Sequence, residues 1–238
     1  GRVFVLVGRG VSWSRDGVHW TEAELPIDDP NLQAVTWTGD AFVAPLFEAG
    51  HSRLLTSADG QTWRLTDVPE LPPWALAATT VAGRLVVAGG DVTSEGLGQN
   101  PGWIASGRLG TPWTVTRDLD RVPIAATTSR DRAVVAGTDG LIRASRFDGG
   151  WQPVDGGALG EVLGFARDPW AEDGSLAMTV VGGVTTADGP EERIWSSADG
   201  VGYRPTWSAA GPPIRAIVST GAGSMAVRDP SVHPQLLV

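Results

Sequence analysis

A short frame that recurs along the chain constrains the fold more than any other feature. The frame is S-x-D-G-x-x-W, which occurs as "SRDGVHW" at residues 14–20 and as "SADGQTW" at residues 57–63. Residues 197–203 read "SADGVGY", with Tyr203 in the place of the Trp. We call each copy a box. Because recurrence at spaced intervals is typical of repeat architectures, we predict a fold built from copies of one supersecondary unit.

Two weaker boxes extend the series. Residues 106–113 read "SGRLGTPW" and keep Ser, Gly and Trp but have Arg108 where an acid would stand. Residues 145–151 read "SRFDGGW" and have the Asp displaced by one position. The five boxes begin at residues 14, 57, 106, 145 and 197, so the period runs from 39 to 52 residues.

The segments around the boxes repeat as well. Ahead of a box stand two apolar or alternating stretches separated by Gly or a charge, as in "ALAATTVAGRLVVAGG" at residues 75–90. A short strand-like stretch that ends in Pro or Gly follows, as in "WRLTDVP". One unit therefore reads strand A, tight turn, strand B, variable loop, strand C, box turn and strand D. Four short antiparallel strands per repeat predict an all-β fold, a β-propeller made of four-stranded blades.

We predict a single propeller domain over residues 1–238. The first unit lacks a strand A, and the last unit lacks a box and a strand D. We therefore expect six blades, with incomplete terminal blades that pair to close the ring, and five or seven blades are the alternatives. The repeat units are expected near residues 1–28, 29–73, 74–121, 122–160, 161–213 and 214–238.

The frame resembles the Asp-box, or BNR, repeat of sialidase-like propellers, although most boxes here are one residue shorter. In physical terms, Ser and Asp side chains can bind backbone amides two or three residues on, and Gly tolerates a positive φ. The Trp is expected to pack between blades. We predict that the box residues are structural: Ser14, Asp16, Gly17, Trp20, Ser57, Asp59, Gly60, Trp63, Ser197, Asp199, Gly200 and Tyr203.

The resemblance to sialidases does not extend to their catalytic residues. The family implies a tyrosine nucleophile, but the single tyrosine, Tyr203, occupies the Trp position of a box. The nearest match to the expected arginine motif, Arg121-Val122-Pro123, lies mid-chain and lacks the aromatic residue. We therefore predict a non-catalytic member of the family, with no catalytic residue and no cofactor. We also predict no metal site, since the three His lie in different repeats. A glycoside hydrolase that uses two loop carboxylates is the alternative. Its candidate acids are Asp91, Glu95, Asp168, Glu172, Asp173, Asp188, Glu191 and Glu192.

The composition narrows the class of partner. The chain has 18 basic and 27 acidic residues, a net charge of -9, so nucleic acid is an unfavourable partner. The basic residues are all Arg, which indicates a GC-rich bacterial source. No apolar run is long enough to insert in a membrane. From the resemblance alone we expect a secreted or cell-surface location, with a lipoprotein-like tether in a missing N-terminal region as one possibility.

The boxes also indicate where a ligand should bind. If they close the turns between strands C and D, the B–C and D–A connections lie at the opposite face, and loops on a rigid scaffold commonly carry recognition. We predict that this face binds a protein or a glycan, with Trp74 and Trp170 as candidate stacking platforms. The candidate ligand-binding residues are Glu48, His51, Arg53, Asp91, Glu95, Asn100, Trp103, Asp188, Glu191 and Arg193.

Overall fold

The computed structural model describes most of the chain and divides it into two compact units, Gly1–Pro123 and Ile124–Val238. The described residues are 3–48, 50–90, 101–120, 122–129, 132–137, 142–146, 150–154, 161–167, 178–187, 189–197, 203–210, 214–220, 223–228 and 236–237.

Three antiparallel sheets form the first unit. In each sheet, strands that follow one another along the chain lie side by side. The first sheet contains β1 (Phe4–Val7), β2 (Val11–Ser14) and β3 (Thr21–Glu22). The second contains β4 (Thr36–Trp37), β5 (Phe42–Glu48), β6 (His51–Ser57) and β7 (Arg64–Thr66). The third contains β8 (Ala75–Val81), β9 (Arg84–Gly90), β10 (Gly102–Gly107) and β11 (Thr114–Leu119).

The predicted order of strand A, B, C, box and D is confirmed in the second and third sheets. The central strands β5, β6, β9 and β10 are buried along most of their length. Such strands are rich in apolar residues on both faces because both faces of the sheet are covered. The outer strand β7, by contrast, has no buried residue. The first sheet has no described strand in the position of strand A, as the sequence predicts.

Two apolar clusters hold the three sheets of this unit together. The first lies between the first and second sheets and contains Val11, Ala44, Leu55 and Trp63. The second lies between the second and third sheets and contains Val43 and Leu54 with Leu85, Val87, Trp103, Ala105 and Trp113. Val43 and Ala44 are neighbours on β5 yet belong to different clusters, because successive side chains of a strand point to opposite faces.

The second unit also consists of three antiparallel sheets among its described residues. The last of these sheets has three described strands, and none of them is in the position of strand D. The first of these sheets contains β12 (Pro123–Ser129), β13 (Arg132–Gly137), β14 (Ile142–Arg146) and β15 (Gln152–Val154). The next contains β16 (Glu161–Arg167), β17 (Met178–Thr186), β18 (Gly189–Ser197) and β19 (Arg204–Ala210), and the last contains β20 (Ile214–Thr220), β21 (Gly223–Arg228) and β22 (Leu236–Leu237).

Candidate functional site

The first and second boxes close the turns between strands C and D through a compact hydrogen-bond pattern. In the second box, Ser57 Oγ accepts the amides of Asp59 and Gly60 at 3.3 and 2.8 Å and donates to Asp59 Oδ1 at 3.0 Å. The same Oδ1 accepts the amides of the two residues that follow Gly60, each at 2.9 Å. Gly60 has a φ of 76°, a left-handed conformation that favours glycine. These groups therefore close the turn, as predicted.

The first box repeats this pattern. Ser14 Oγ accepts the amides of Asp16 and Gly17 at 3.3 and 2.9 Å, and Gly17 also has a φ of 76°. Asp16 Oδ1 accepts the amides of Val18 and His19 at 2.9 and 2.8 Å. His19 Nδ1 lies 2.7 Å from Asp16 Oδ2, a contact that the second box lacks. The bond with His19, followed by those with the two amides, lowers the pKa of Asp16.

Of the remaining boxes, the structure describes the third in full and the other two only in part. In the third box, Thr111 Oγ1 accepts the amide of Arg108 at 3.3 Å, the third-position amide that the serine binds in the first two boxes, and donates to the Arg108 carbonyl at 3.0 Å. Ser145 and Ser197 are buried at the ends of their strands, and Tyr203 is half-buried. Asp199 and Gly200 lie outside the described residues.

At the end of the second sheet opposite its box, a cavity of about 330 Å³ brings charged and apolar side chains together. Arg53 lies at its centre, with Nη1 2.8 Å from Glu48 Oε2 and Nε 2.6 Å from Asp67 Oδ1. The bond to Asp67, with a smaller contribution from Glu48, raises the pKa of Arg53. We call this site the Arg53 cavity, and its lining residues are Glu48, His51, Ser52, Arg53, Asp67, Val68, Pro69 and Leu71.

Three of the predicted ligand-binding residues, Glu48, His51 and Arg53, are thus brought together. Glu48 and His51 are opposite each other in the β5–β6 register, beside the turn. Sequence reasoning missed Asp67, which follows the short strand β7 and reaches Arg53 from 14 residues away. The pairing of β6 with β7 places the two side chains together, whereas the sequence had Asp67 within the predicted strand D, "WRLTDVP".

The candidate ligand-binding residue Trp103 and the candidate stacking platform Trp74 both have structural contacts. Trp103 is buried on β10, and its Nε1 donates to the Pro73 carbonyl at 2.9 Å. Its indole therefore presents no open face to a ligand. Trp74 has a φ of 59° and stacks on Phe47, with ring centroids 3.8 Å apart. Together they secure the segment that enters strand β8.

The second unit places Glu191 and Arg193 on one face of β18. Arg193 Nη2 lies 3.2 Å from Glu191 Oε2, and this bond lowers the pKa of Glu191. Between them in sequence, Glu192 is buried and its Oε2 accepts the Ile214 amide at 3.4 Å. In the first unit, Ser52 Oγ accepts the Ala75 amide at 3.1 Å in the same way. In both cases a strand C holds the first amide of the next strand A.

Several predicted residues fall outside what the structure describes. These are the candidate ligand-binding residues Asp91, Glu95, Asn100 and Asp188, the alternative acids Asp168, Glu172 and Asp173, the residues Arg121 and Trp170, and the box residues named above. Among the described residues, no group of three or more His, Asp or Glu side chains is arranged to hold a metal ion. The described part of the chain likewise contains no helix with the length and apolarity that a membrane span requires.

No family model matches the chain, and no curated protein sequence is significantly similar to it. Solved structures do match. A chain in the crystal structure of the Mitotic Checkpoint Complex is 13% identical with a TM-score of 0.54, and the match covers 98% of this chain and 86% of that one. YCF48 bound to D1 peptide is 14% identical with a TM-score of 0.55, and the match covers 88% of this chain and 69% of that one.

A third match is the WD40 β-propeller domain of Doa1, which is 10% identical with a TM-score of 0.57, over 91% of this chain and 70% of that one. The predicted fold class is therefore confirmed: the chain is all-β and folds as a β-propeller of antiparallel sheets. The predictions of six blades and of a closed single ring stay predictions.

Proposed function

We propose that this chain is a protein-binding propeller that holds a segment of its partner at the end of the sheets opposite the boxes, centred on the Arg53 cavity. The observation that carries this proposal is the geometry of Arg53. Its guanidinium is held between Glu48 and Asp67 beside an apolar wall of Val68, Pro69 and Leu71. A fixed polar group beside an apolar surface suits a ligand side chain that has an apolar stem and a polar end.

The lining of the cavity favours a protein ligand over a glycan. Sugar rings commonly stack on aromatic side chains, yet no Phe, Tyr or Trp is among the residues that line the Arg53 cavity. A volume of about 330 Å³ is at the small end of ligand pockets and suits one side chain of a peptide. The structural neighbour YCF48 is bound to a peptide, which supports the same class of ligand here.

The same cavity gives little support to the glycoside hydrolase alternative. That mechanism needs one carboxyl group that can act as an acid and another that acts as a base or nucleophile. The two acids that line the Arg53 cavity, Glu48 and Asp67, both bind the Arg53 guanidinium. We therefore propose binding without catalysis at this site.

We further propose that the boxes are contracted Asp-boxes of the sialidase-like type, and that the protein works outside the cytoplasm of a bacterium. The first part is supported by the matching hydrogen bonds of Ser14 with Asp16 and of Ser57 with Asp59. The second rests on the resemblance alone. Fusion of the natural gene to a reporter active only outside the cytoplasm would test it, and a fusion inactive in that assay would contradict it.

Selection of a displayed library of random dodecapeptides against the purified chain tests the proposed function. We expect selected peptides to lose at least tenfold in affinity against Arg53→Gln. The matched control is Arg64→Gln, which removes an exposed guanidinium of β7, next to the box of the same sheet. Affinity is measured by fluorescence anisotropy, and circular dichroism verifies that both variants fold. A library that yields no binder, or binders equally tight on both variants, would contradict the proposal.

A further inference from the structure

A second and larger cavity, of about 620 Å³, lies in the first sheet at the position that corresponds to the Arg53 cavity. The Arg53 cavity lies between the B–C turn of its sheet and the D–A connection after β7. The second cavity likewise lies between the β1–β2 turn, residues 8–10, and the connection after β3, residues 23–30. We call it the Arg9 cavity. The repeat thus forms the same kind of cavity in two successive sheets of one unit.

Main-chain hydrogen bonds hold the walls of the Arg9 cavity in place. The Ala23 amide donates to the Val11 carbonyl at 2.8 Å, and the Leu32 amide donates to the Gly8 carbonyl at 2.8 Å. These bonds tie the long connection to the sheet at both ends. Val11 and the half-buried Leu25 and Ile27 form the apolar floor. Val11 belongs to the cluster between the first and second sheets, and Leu25 and Ile27 pack against that cluster. The cavity is therefore part of the packed fold.

The charges of the two cavities differ in their pairing. In the Arg53 cavity, the two carboxylates bind the guanidinium. The rim of the Arg9 cavity contains three acidic residues, Glu22, Asp28 and Asp29, and one basic residue, Arg9. None of these four side chains forms an ion pair with another described residue. The Arg9 cavity therefore has an excess of two negative charges over an apolar floor.

We propose that the Arg9 cavity is a second subsite of the protein-binding surface and that it receives a basic side chain, Arg or Lys, of the partner segment. This inference rests on the proposed function. Such a side chain has an apolar stem that matches Leu25 and Ile27 and a cationic end that matches Asp28 and Asp29. An acidic side chain would meet like charge, which disfavours it. Because the rim is exposed, binding weakens as salt is added.

The probe for this proposal is N-acetyl-arginine methylamide, with the neutral citrulline analogue as its counterpart. Each is titrated into the ¹⁵N-labelled protein and followed by the amide shifts of the non-proline residues among 8–10 and 22–30. We expect the arginine compound to shift these amides and the citrulline compound to shift them at least fivefold less. We also expect the shifts to decrease when sodium chloride is raised from 50 to 300 mM.

The variant that tests the subsite is Asp28→Asn with Asp29→Asn. Asp29 has a φ of 45°, a conformation that Asn adopts readily, so the turn should persist. This variant should lose the arginine-induced shifts. The control, Asp40→Asn, removes a carboxylate from the β4–β5 turn, and there Asn can still accept the Thr38 hydroxyl proton as Asp40 does. The control should keep the shifts.

The outcomes separate this inference from the proposed function. Equal shifts from both compounds, or shifts that survive in the double Asn variant, overturn the second subsite. If peptide binding still depends on Arg53, the proposed function stands. If instead the arginine compound shifts residues 8–10 and 22–30 as expected but no peptide depends on Arg53, the proposed function fails while the charge preference of the Arg9 cavity stands.

Discussion

The first and second boxes have the same frame and the same turn, but their tryptophans have different surroundings. Corresponding hydrogen bonds of Ser14 and Ser57 to the amides that follow differ by at most 0.1 Å. Yet Trp63 is 5% exposed, whereas Trp20 is 39% exposed. Trp63 lies in the cluster between its own sheet and the sheet before it. The sheet of Trp20 is the first described sheet of its unit. The box turn is therefore determined by its own residues, whereas burial of the box tryptophan depends on a neighbouring sheet.

The largest expected effect comes from removing the two indoles. We expect Trp63→Ala to lower the free energy of unfolding by about 3–5 kcal/mol, because it leaves a cavity between two packed sheets. Trp20→Ala should cost at most about 1 kcal/mol, since a partly exposed side chain loses less burial. Urea unfolding followed by circular dichroism measures both losses. Equal losses would mean that Trp20 is buried in solution, contrary to the difference in exposure.

A second, intermediate effect separates the two box glycines. Both have a φ of 76°, so alanine at either is strained by about 1–2 kcal/mol. A Cβ at Gly60 would also lie 2.9 Å from Val5 Cγ2 and 3.1 Å from Val3 Cγ1, whereas one at Gly17 would meet Phe4 at an ordinary 3.7 Å. We expect Gly60→Ala to cost about 1–3 kcal/mol more than Gly17→Ala, because it overpacks a sheet interface. Thermal unfolding of both variants gives the difference, and the reverse order would contradict the packing.

The smallest expected effect is the pH dependence of the two box aspartates. Amide bonds lower the pKa of Asp59, and the bond with His19 together with amide bonds lowers that of Asp16. Each folded-state pKa is thus below the unfolded value of about 3.9. At pH values between the two, the unfolded chain binds more protons than the folded chain. The stability from each carboxylate should be complete above about pH 5 and lost as pH falls below about 4.

Unfolding free energies of wild type, Asp16→Asn and Asp59→Asn between pH 2.5 and 7 measure this effect. The advantage of the wild type over each variant should shrink as the pH is lowered through that window. His19→Thr provides the matched comparison, because Thr62 occupies the corresponding place in the second box. Since the contact between Asp16 and His19 is exposed, this change should alter stability only slightly. An advantage that does not change with pH would exclude the carboxylates as its source.

The architecture could be predicted from the sequence because its signals are local. A serine, an aspartate and a glycine within four residues determine the turns of the first and second boxes, and the strands around them follow from apolar runs bounded by Gly and Pro. The order of strands in the second and third sheets was predictable for this reason. The burial of Trp103 was not, because "GQNPGW" reads as a loop whereas strand pairing places Trp103 opposite Gly89 on β9.

The candidate site was only partly predictable because its contacts join separate segments. Glu48, His51 and Arg53 are close in sequence and were recognised together. Asp67 belongs to another connection, and its distance from Arg53 depends on strand register. The Arg9 cavity was missed altogether, since "GRG" at residues 8–10 looks like an ordinary turn and Asp28-Asp29 like a solvated pair. Only the folded connection places these two segments on either side of one cavity.

The packing of the box tryptophans has a consequence for how the chain is made. Trp63 lies in the cluster shared with the first sheet, and Trp113 lies in the cluster shared with the second. Each indole thus lies against a sheet that the ribosome has already synthesised. When Trp63 or Trp113 leaves the ribosome, the sheet against which it packs has therefore already been made. Each indole can be buried at once, which limits aggregation during translation. Trp20 lies in the first described sheet of its unit, and no cluster with an earlier described sheet covers it.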